Sequence, residues 1–227
     1  MLGFLAVLCS VLCVFSARLF LKAYYEENFV KGFWLKGAAA LSFVLVGFLL
    51  LAWKGSGVNA ELVVCGLVLG LVGDQLLAMR LIHKNLHDPF FIAGALSFGV
   101  GHVLYILFLS KTEEVKLEIV LPVLLIGLLL SLVYARKSGT DVKEKTPLAA
   151  AYIALVLLMA STAVSVAFMT GTLSGVLFAL GGILFSLSDN ILCAYCYGKN
   201  PVWKMNRDLH VTYYGAQLAI AWSILFL

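Results

Sequence analysis

An all-α, polytopic membrane bundle of eight transmembrane helices is the fold this sequence predicts, and three observations predict it. Only 28 of the 227 residues are charged, 63% are hydrophobic, and the mean hydropathy is +1.03. A soluble domain carries about 25% charged and about 45–50% apolar residues, so this chain lacks the polar surface to cover a globule in water. The apolar residues fall in runs of about 20, the length that crosses a bilayer as a helix. Those runs show no period-two alternation, which argues against a transmembrane barrel. The same composition excludes a soluble enzyme, a disordered chain and a nucleic-acid-binding domain.

Eight such runs follow one another: Leu2–Phe20, Trp34–Trp53, Glu61–Met79, Phe90–Ser110, Leu117–Tyr134, Pro147–Met169, Leu173–Tyr197 and Asp208–Leu227. The loops between them are too short for a soluble domain, so residues 1–227 are read as a single integral membrane domain. Glycines within the spans (Gly66, Gly70, Gly73, Gly94, Gly99, Gly101) suit close helix–helix approach in lipid. Met1–Ala17 is short and apolar like a signal peptide, but it has no basic n-region and its cations follow the apolar run. It is read as a retained first helix.

Basic residues give the orientation, because cytoplasmic loops are enriched in Lys and Arg. With the N-terminus outside, Arg18, Lys22, Lys31, Lys36, Arg80, Lys84, Arg136, Lys137, Lys143, Lys145, Lys199, Lys204 and Arg207 fall on the cytoplasmic side. Lys54, Lys111 and Lys116 fall opposite, a split of 13 to 3. One span more or fewer would scramble that split. Both termini are therefore expected on the non-cytoplasmic side.

The third and seventh spans resemble each other around an acidic residue. Val68-Leu-Gly-Leu-Val-Gly-Asp74-Gln-Leu-Leu aligns with Ile183-Leu-Phe-Ser-Leu-Ser-Asp189-Asn-Ile-Leu at an offset of 115 residues. The same offset lays Phe98-Gly-Val-Gly-His102 on Tyr213-Tyr-Gly-Ala-Gln217. Spans four apart cross in one direction, so this pattern implies a parallel 4+4 repeat with halves 1–110 and 111–227. The first two spans of each half show no convincing match.

Asp74 and Asp189 are the charged residues expected well inside spans, with the rest in loops or at span ends. An ionised carboxylate in lipid is costly and usually faces the bundle interior. At 1.5 Å per residue, Asp74 lies roughly 9 Å from the span end at Arg80, and Asp189 roughly 13 Å from that near Gly198. Both fall in the cytoplasmic half and are expected to meet. Lys36 opens the second span, and Tyr152 lies about a turn into the sixth. His210, Tyr213, Tyr214 and Gln217 share one helical face, and His102 and Tyr105 form a similar, deeper stripe.

Two carboxylates in one low-dielectric pocket cannot ionise equally, so one can be protonated while the other is charged. Such a pair suits hydrolysis, one group donating a proton and the other activating water. Lys36 is expected to hold the ionised member or to contact a lipid phosphate. No G-x-S-x-G, H-E-x-x-H or Gly-rich phosphate loop is present. Cys193-x-x-Cys196 lies in an apolar span with no second ligand pair, and His83, His87 and Asp88 sit at an interface. Neither group is read as a metal site, and no cofactor is expected.

Gly73-Asp74-Gln-Leu-Leu, His102-x-x-Tyr105, Leu184-Phe-Ser-Leu-Ser188-Asp189 and Tyr213-Tyr214-x-Ala216-Gln217, in this order on eight spans, resemble the YhhN-like lysoplasmalogenase family. The resemblance runs from about Lys36 to the C-terminus, with one departure: Lys36-Gly37 stands where the family often has Lys-Pro. It implies hydrolysis of the vinyl ether bond of lysoplasmalogens to a fatty aldehyde and glycerophosphoethanolamine or glycerophosphocholine. It also implies an endoplasmic reticulum membrane location, as in animal members. In that chemistry Asp74 and Asp189 are catalytic. Lys36, His102, Tyr105, Tyr152, Ser188, Tyr213, Tyr214 and Gln217 bind substrate or orient water. The partners implied are a lysophospholipid and membrane lipids.

Parallel repeats with midplane ionisable residues also suit a proton-coupled or small-molecule transporter. An intramembrane aspartyl protease is less apt, because its Tyr-Asp partner reads Ser188-Asp189 here. A non-catalytic lipid-binding or scaffold protein is a further alternative. The topology has a direct test. Glycosylation acceptors placed at either terminus are expected to be modified in microsomes, and termini left unmodified and cut by a cytosolic protease would overturn the orientation.

Overall fold

In a computed structural model the described residues are 1–55, 59–141 and 146–227, and among them there are eight α-helices and no strand. In chain order they are α1 (Leu2–Tyr25), α2 (Phe29–Lys54), α3 (Glu61–Ile82), α4 (His87–Thr112), α5 (Leu117–Ser138), α6 (Thr146–Thr170), α7 (Leu173–Tyr197) and α8 (Trp203–Ser223). Lys143 and Lys145, counted above in the cytoplasmic set, lie outside the described residues. Helices α1 to α7 are long and apolar enough to cross a membrane. The chain is an integral, multi-pass membrane protein.

Two boundaries differ from expectation, each for a local reason. α2 starts at Phe29 and not at Trp34, because Asn28 caps it: the Asn28 side chain accepts a hydrogen bond from the Lys31 N–H at 3.1 Å. The eighth run was expected as a span over Asp208–Leu227, whereas α8 begins at Trp203 and gives way to a 3-10 turn at Ile224–Phe226. Its early turns carry Lys204, Arg207 and Asp208, so α8 falls outside the helices apolar enough to cross by composition. Its polar face is nevertheless buried, with Asn206, His210, Tyr213, Tyr214 and Gln217 all within the protein.

The chain divides into two compact units, Met1–Phe108 and Leu109–Phe226. In the first, α1 lays a stripe of Ala6, Cys13, Ala17, Phe20 and Ala23 against its neighbours, at the three-, four- and seven-residue spacing of one helical face. Phe4, Val11 and Phe15 on its other face stay exposed, the side suited to lipid. In the second unit, α6, α7 and α8 bury Met159, Phe178, Phe185 and Ile220. α5 buries only Val120 and leaves Leu125, Ile126, Leu129 and Leu130 exposed. Its C-terminal turn is tied down by backbone: the Lys199 N–H bonds to the Ser138 carbonyl, and the Asp141 N–H to the Tyr197 carbonyl, each at 3.0 Å.

Small residues set how closely the helices approach. A Cβ at Gly101 would lie 3.3 Å from the Gly66 carbonyl, and one at Gly94 3.2 Å from that of Gly73, so α3 and α4 cross nearly backbone to backbone. In the second unit a Cβ at Gly181 would lie 3.0 Å from the Ala216 carbonyl, bringing α7 onto α8. At Gly66 the Tyr105 ring occupies the space of any side chain. Gly66→Ala must push that buried ring aside, and we expect a loss of about 1–3 kcal/mol in thermal unfolding in detergent. Gly215→Ala meets only Leu184 Cδ1 at 3.6 Å and is expected to stay within about 0.5 kcal/mol of the parent.

Candidate active site

Each unit buries one aspartate, and each aspartate takes its partner from the preceding helix. In the first unit Lys36 Nζ of α2 lies 2.9 Å from Asp74 Oδ1 of α3, both side chains almost fully enclosed. In the second, the Tyr152 hydroxyl of α6 donates to Asp189 Oδ2 of α7 at 2.7 Å. The two contacts differ in kind. Asp74 faces a cation and Asp189 a neutral phenol.

Lys36 corrects one expectation. It was placed at the mouth of a span, with Asp74 and Asp189 as the charges well inside. The Asn28 cap starts α2 seven residues earlier, so Lys36 sits nearly two turns inside the helix and is only 6% exposed. Its ammonium is committed to Asp74, which favours the first of its two expected roles, holding the ionised carboxylate. Arg80, two residues from the end of α3, is also enclosed by protein, at 7% exposure. Its guanidinium lies 5.1 Å from the centre of the Phe91 ring, a face that attracts a cation electrostatically. Among the described residues the buried charges are thus Lys36, Asp74, Arg80 and Asp189.

Helix register decides which other predicted residues come level with the aspartates. The Ser97 hydroxyl donates to the Leu69 carbonyl at 2.7 Å, and a Cβ at Gly73 would meet the Phe98 ring at 2.7 Å. Asp74 is therefore level with Gly94–Ser97 of α4, and His102 lies about two turns, roughly 10 Å, further along. His102 and Tyr105 are both buried and contact each other edge-on, ring centroids 6.1 Å apart. They line a deeper layer of the first unit.

In the second unit the Ser188 hydroxyl donates to the Leu209 carbonyl at 3.0 Å, and Phe185 meets Tyr213 edge-on at 5.4 Å. Leu209 and His210 are thus level with Asp189, Tyr213 is about a turn deeper, and Gln217 about two. The Gln217 amide donates to the Tyr213 hydroxyl at 3.0 Å, and Tyr213 and Tyr214 touch edge-on at 5.1 Å. His210 belongs to the polar stripe but was not among the expected site residues; its depth makes it one. Its Nδ1–H donates to the Asn206 carbonyl at 2.7 Å, which fixes the tautomer of the neutral ring with its lone pair on Nε2. Asn206, 1% exposed, was missed altogether. The i, i+4 step from His210 carries the polar stripe back to it and was the available signal.

The described residues hold no group of three or more His, Cys, Asp or Glu side chains placed for a metal ion. Cys193, one turn beyond Asp189 on α7, is not in a disulfide, and neither is Cys196 three residues further on. The first unit offers a carboxyl group paired with an ammonium, and the second a carboxyl group with a phenol and an imidazole, each enclosed within its own unit. That set can move protons and stabilise a cation.

A family model described as the YhhN family matches residues 33–224. No curated protein and no solved structure matches the chain. The matched span holds both aspartates and both of their partners, and it leaves α1 outside.

The ion pair makes its own prediction. Lys36→Met leaves a buried carboxylate without its cation and is expected to destabilise the protein by about 3–5 kcal/mol. Removing both charges, in Lys36→Met with Asp74→Leu, should restore most of that stability. Thermal unfolding of the three variants in detergent checks it, and a double variant no better than the single would show that the pair is not the source.

Proposed function

The chain belongs to the YhhN family, and on that premise we propose that it is a lysoplasmalogenase, an ether hydrolase acting on 1-alkenyl-glycerophospholipids. The observation that carries the reading is the inequality of the two buried aspartates, one held by Lys36 and the other by Tyr152. Vinyl ether hydrolysis needs that inequality. It starts with proton delivery to the β-carbon and passes through an oxocarbenium ion, which favours one acid and one anion.

The roles follow from the partners. Asp189, beside a neutral phenol, carries the proton and gives it to the β-carbon of the alkenyl chain. Asp74, kept charged by Lys36, stabilises the oxocarbenium ion and takes a proton from the water that adds to it. Collapse of the hemiacetal returns a proton from its hydroxyl to Asp189. Asp74 releases its proton to the departing glycerol oxygen, and the C–O bond breaks. The products are a fatty aldehyde and the glycerophospho-alcohol, and both carboxyl groups regain their starting states.

His210, Tyr213 and Tyr214 line the second unit near Asp189 and are assigned to orienting water and the ether oxygen. Ser188 and Gln217 support these elements from within the second unit, and His102 and Tyr105 are assigned to the lining of the first. Eight membrane crossings with both termini non-cytoplasmic, a parallel 4+4 duplication and an endoplasmic reticulum location complete the proposal. The duplication gains support from the partners, since 38 residues separate Lys36 from Asp74 and 37 separate Tyr152 from Asp189.

Purified protein in detergent, offered a lysoplasmalogen and an ester lysophospholipid, is expected to release aldehyde from the first and little fatty acid from the second. Asp74→Asn and Asp189→Asn should each lower aldehyde release by at least about 100-fold while leaving a folded protein. Near-parent turnover in either variant would remove that carboxylate from the mechanism. A parent with no turnover in detergent, but uptake in vesicles, would favour a transporter.

A further inference from the structure

The Lys36–Asp74 pair is walled on one side by α1, the helix that lies wholly outside the family match. Phe20 of α1 presents its ring 5.8 Å from Lys36 Nζ. The ring is 3% exposed, and two neighbours fix its place. Gly32 of α2 lies beside it, where a Cβ would stand at ordinary contact distance, 3.8 Å from the ring. Tyr24 holds it edge-on at 5.9 Å and in turn meets Phe29 edge-on at 5.7 Å, pinning the end of α1 to the start of α2. Seven residues before Phe20 on the same stripe, Cys13 is fully buried.

A buried lysine has four flexible side-chain bonds and would gain by swinging its ammonium toward water or a lipid headgroup. One oxygen of Asp74 opposes that movement. A ring face opposes it too, because the π-system attracts a cation most strongly where water is excluded. We propose that Phe20 is a positioning residue of the carboxylate site, its ring holding the Lys36 ammonium on Asp74. α1 then shapes the chemistry of the site as well as filling the bundle. The kinetic side of this inference rests on the lysoplasmalogenase reading, while its structural side stands alone.

The experiment is a double-mutant cycle in the full chain, read by unfolding and by turnover. Phe20→Leu keeps the apolar bulk but loses the ring face, and Phe20→Tyr keeps both. Phe20→Leu is expected to lower kcat by about 5- to 30-fold, the span of a desolvated cation–π contact, with KM within about twofold. Phe20→Tyr should stay within about threefold of the parent. In the Lys36→Met background, Phe20→Leu should change the unfolding temperature far less than it does in the parent, because the ring has lost its cation. Should the leucine variant not be recovered folded, Phe20→Met fills a similar volume and takes its place. Equal, additive effects of Phe20→Leu in both backgrounds would overturn the proposal, as would a leucine variant with parental kcat. If the parent releases no aldehyde, the functional reading falls, and the unfolding cycle still decides the role of Phe20.

Discussion

Charge inside an apolar bundle has to be answered from within the bundle, and the Lys36–Asp74 contact is where this protein meets that demand most completely. At 2.9 Å, with both groups nearly sealed from solvent, neither can lose the other without leaving an uncompensated charge in a medium that solvates it poorly. Much of the first unit is arranged around that requirement. Asn28 caps α2 so that Lys36 is carried inside, and Phe20 of α1 lays its ring 5.8 Å from the ammonium. Glycines on α3 and α4 then bring those helices close enough to enclose the carboxylate. The second unit meets a milder demand. There a phenol answers Asp189, with no cation to be desolvated.

That difference bears on function more than the likeness of the two segments does. A duplicated pair of identical acidic sites would hold two groups of equal proton affinity, and acid–base chemistry needs a donor and an acceptor. Here the repeat-like spacing is kept while the partner changes from ammonium to hydroxyl. Matching geometry with unmatched electrostatics is a simple way for one architecture to provide two chemical roles. In the deeper layer Tyr105 of α4 sits over Gly66 of α3 in one unit, and Tyr213 of α8 meets Phe185 of α7 in the other, each tying two neighbouring helices together.

Most of the fold was legible because apolar runs of about 20 residues leave few alternatives in a membrane. Asp74 and Asp189 were legible for the same reason, as carboxylates in an apolar background. Lys36 was misplaced because a helix start depends on a cap, and Asn28 sits outside the apolar run that marked the span. The enclosure of Arg80 at its span end was not legible, because its Phe91 contact crosses between helices and leaves no trace in local sequence. α8 was read as a span starting at Asp208, yet the helix begins five residues earlier, and the burial of its polar face depends on packing that hydropathy does not describe. The shared spacing of Lys36–Asp74 and Tyr152–Asp189 escaped notice because lysine and tyrosine do not align by residue type.

Gly37 deserves a last consideration, next to the lysine that matters most. A side chain at that position would coincide with the amide of Gln75, the residue after Asp74. The bare backbone of α2 is thus the seat of a side chain from α3, and positions 37 and 75 answer to one another. Any side chain placed at position 37 has to swing the flexible end of Gln75 out of that seat, so a change on α2 is felt one residue away from the carboxylate on α3.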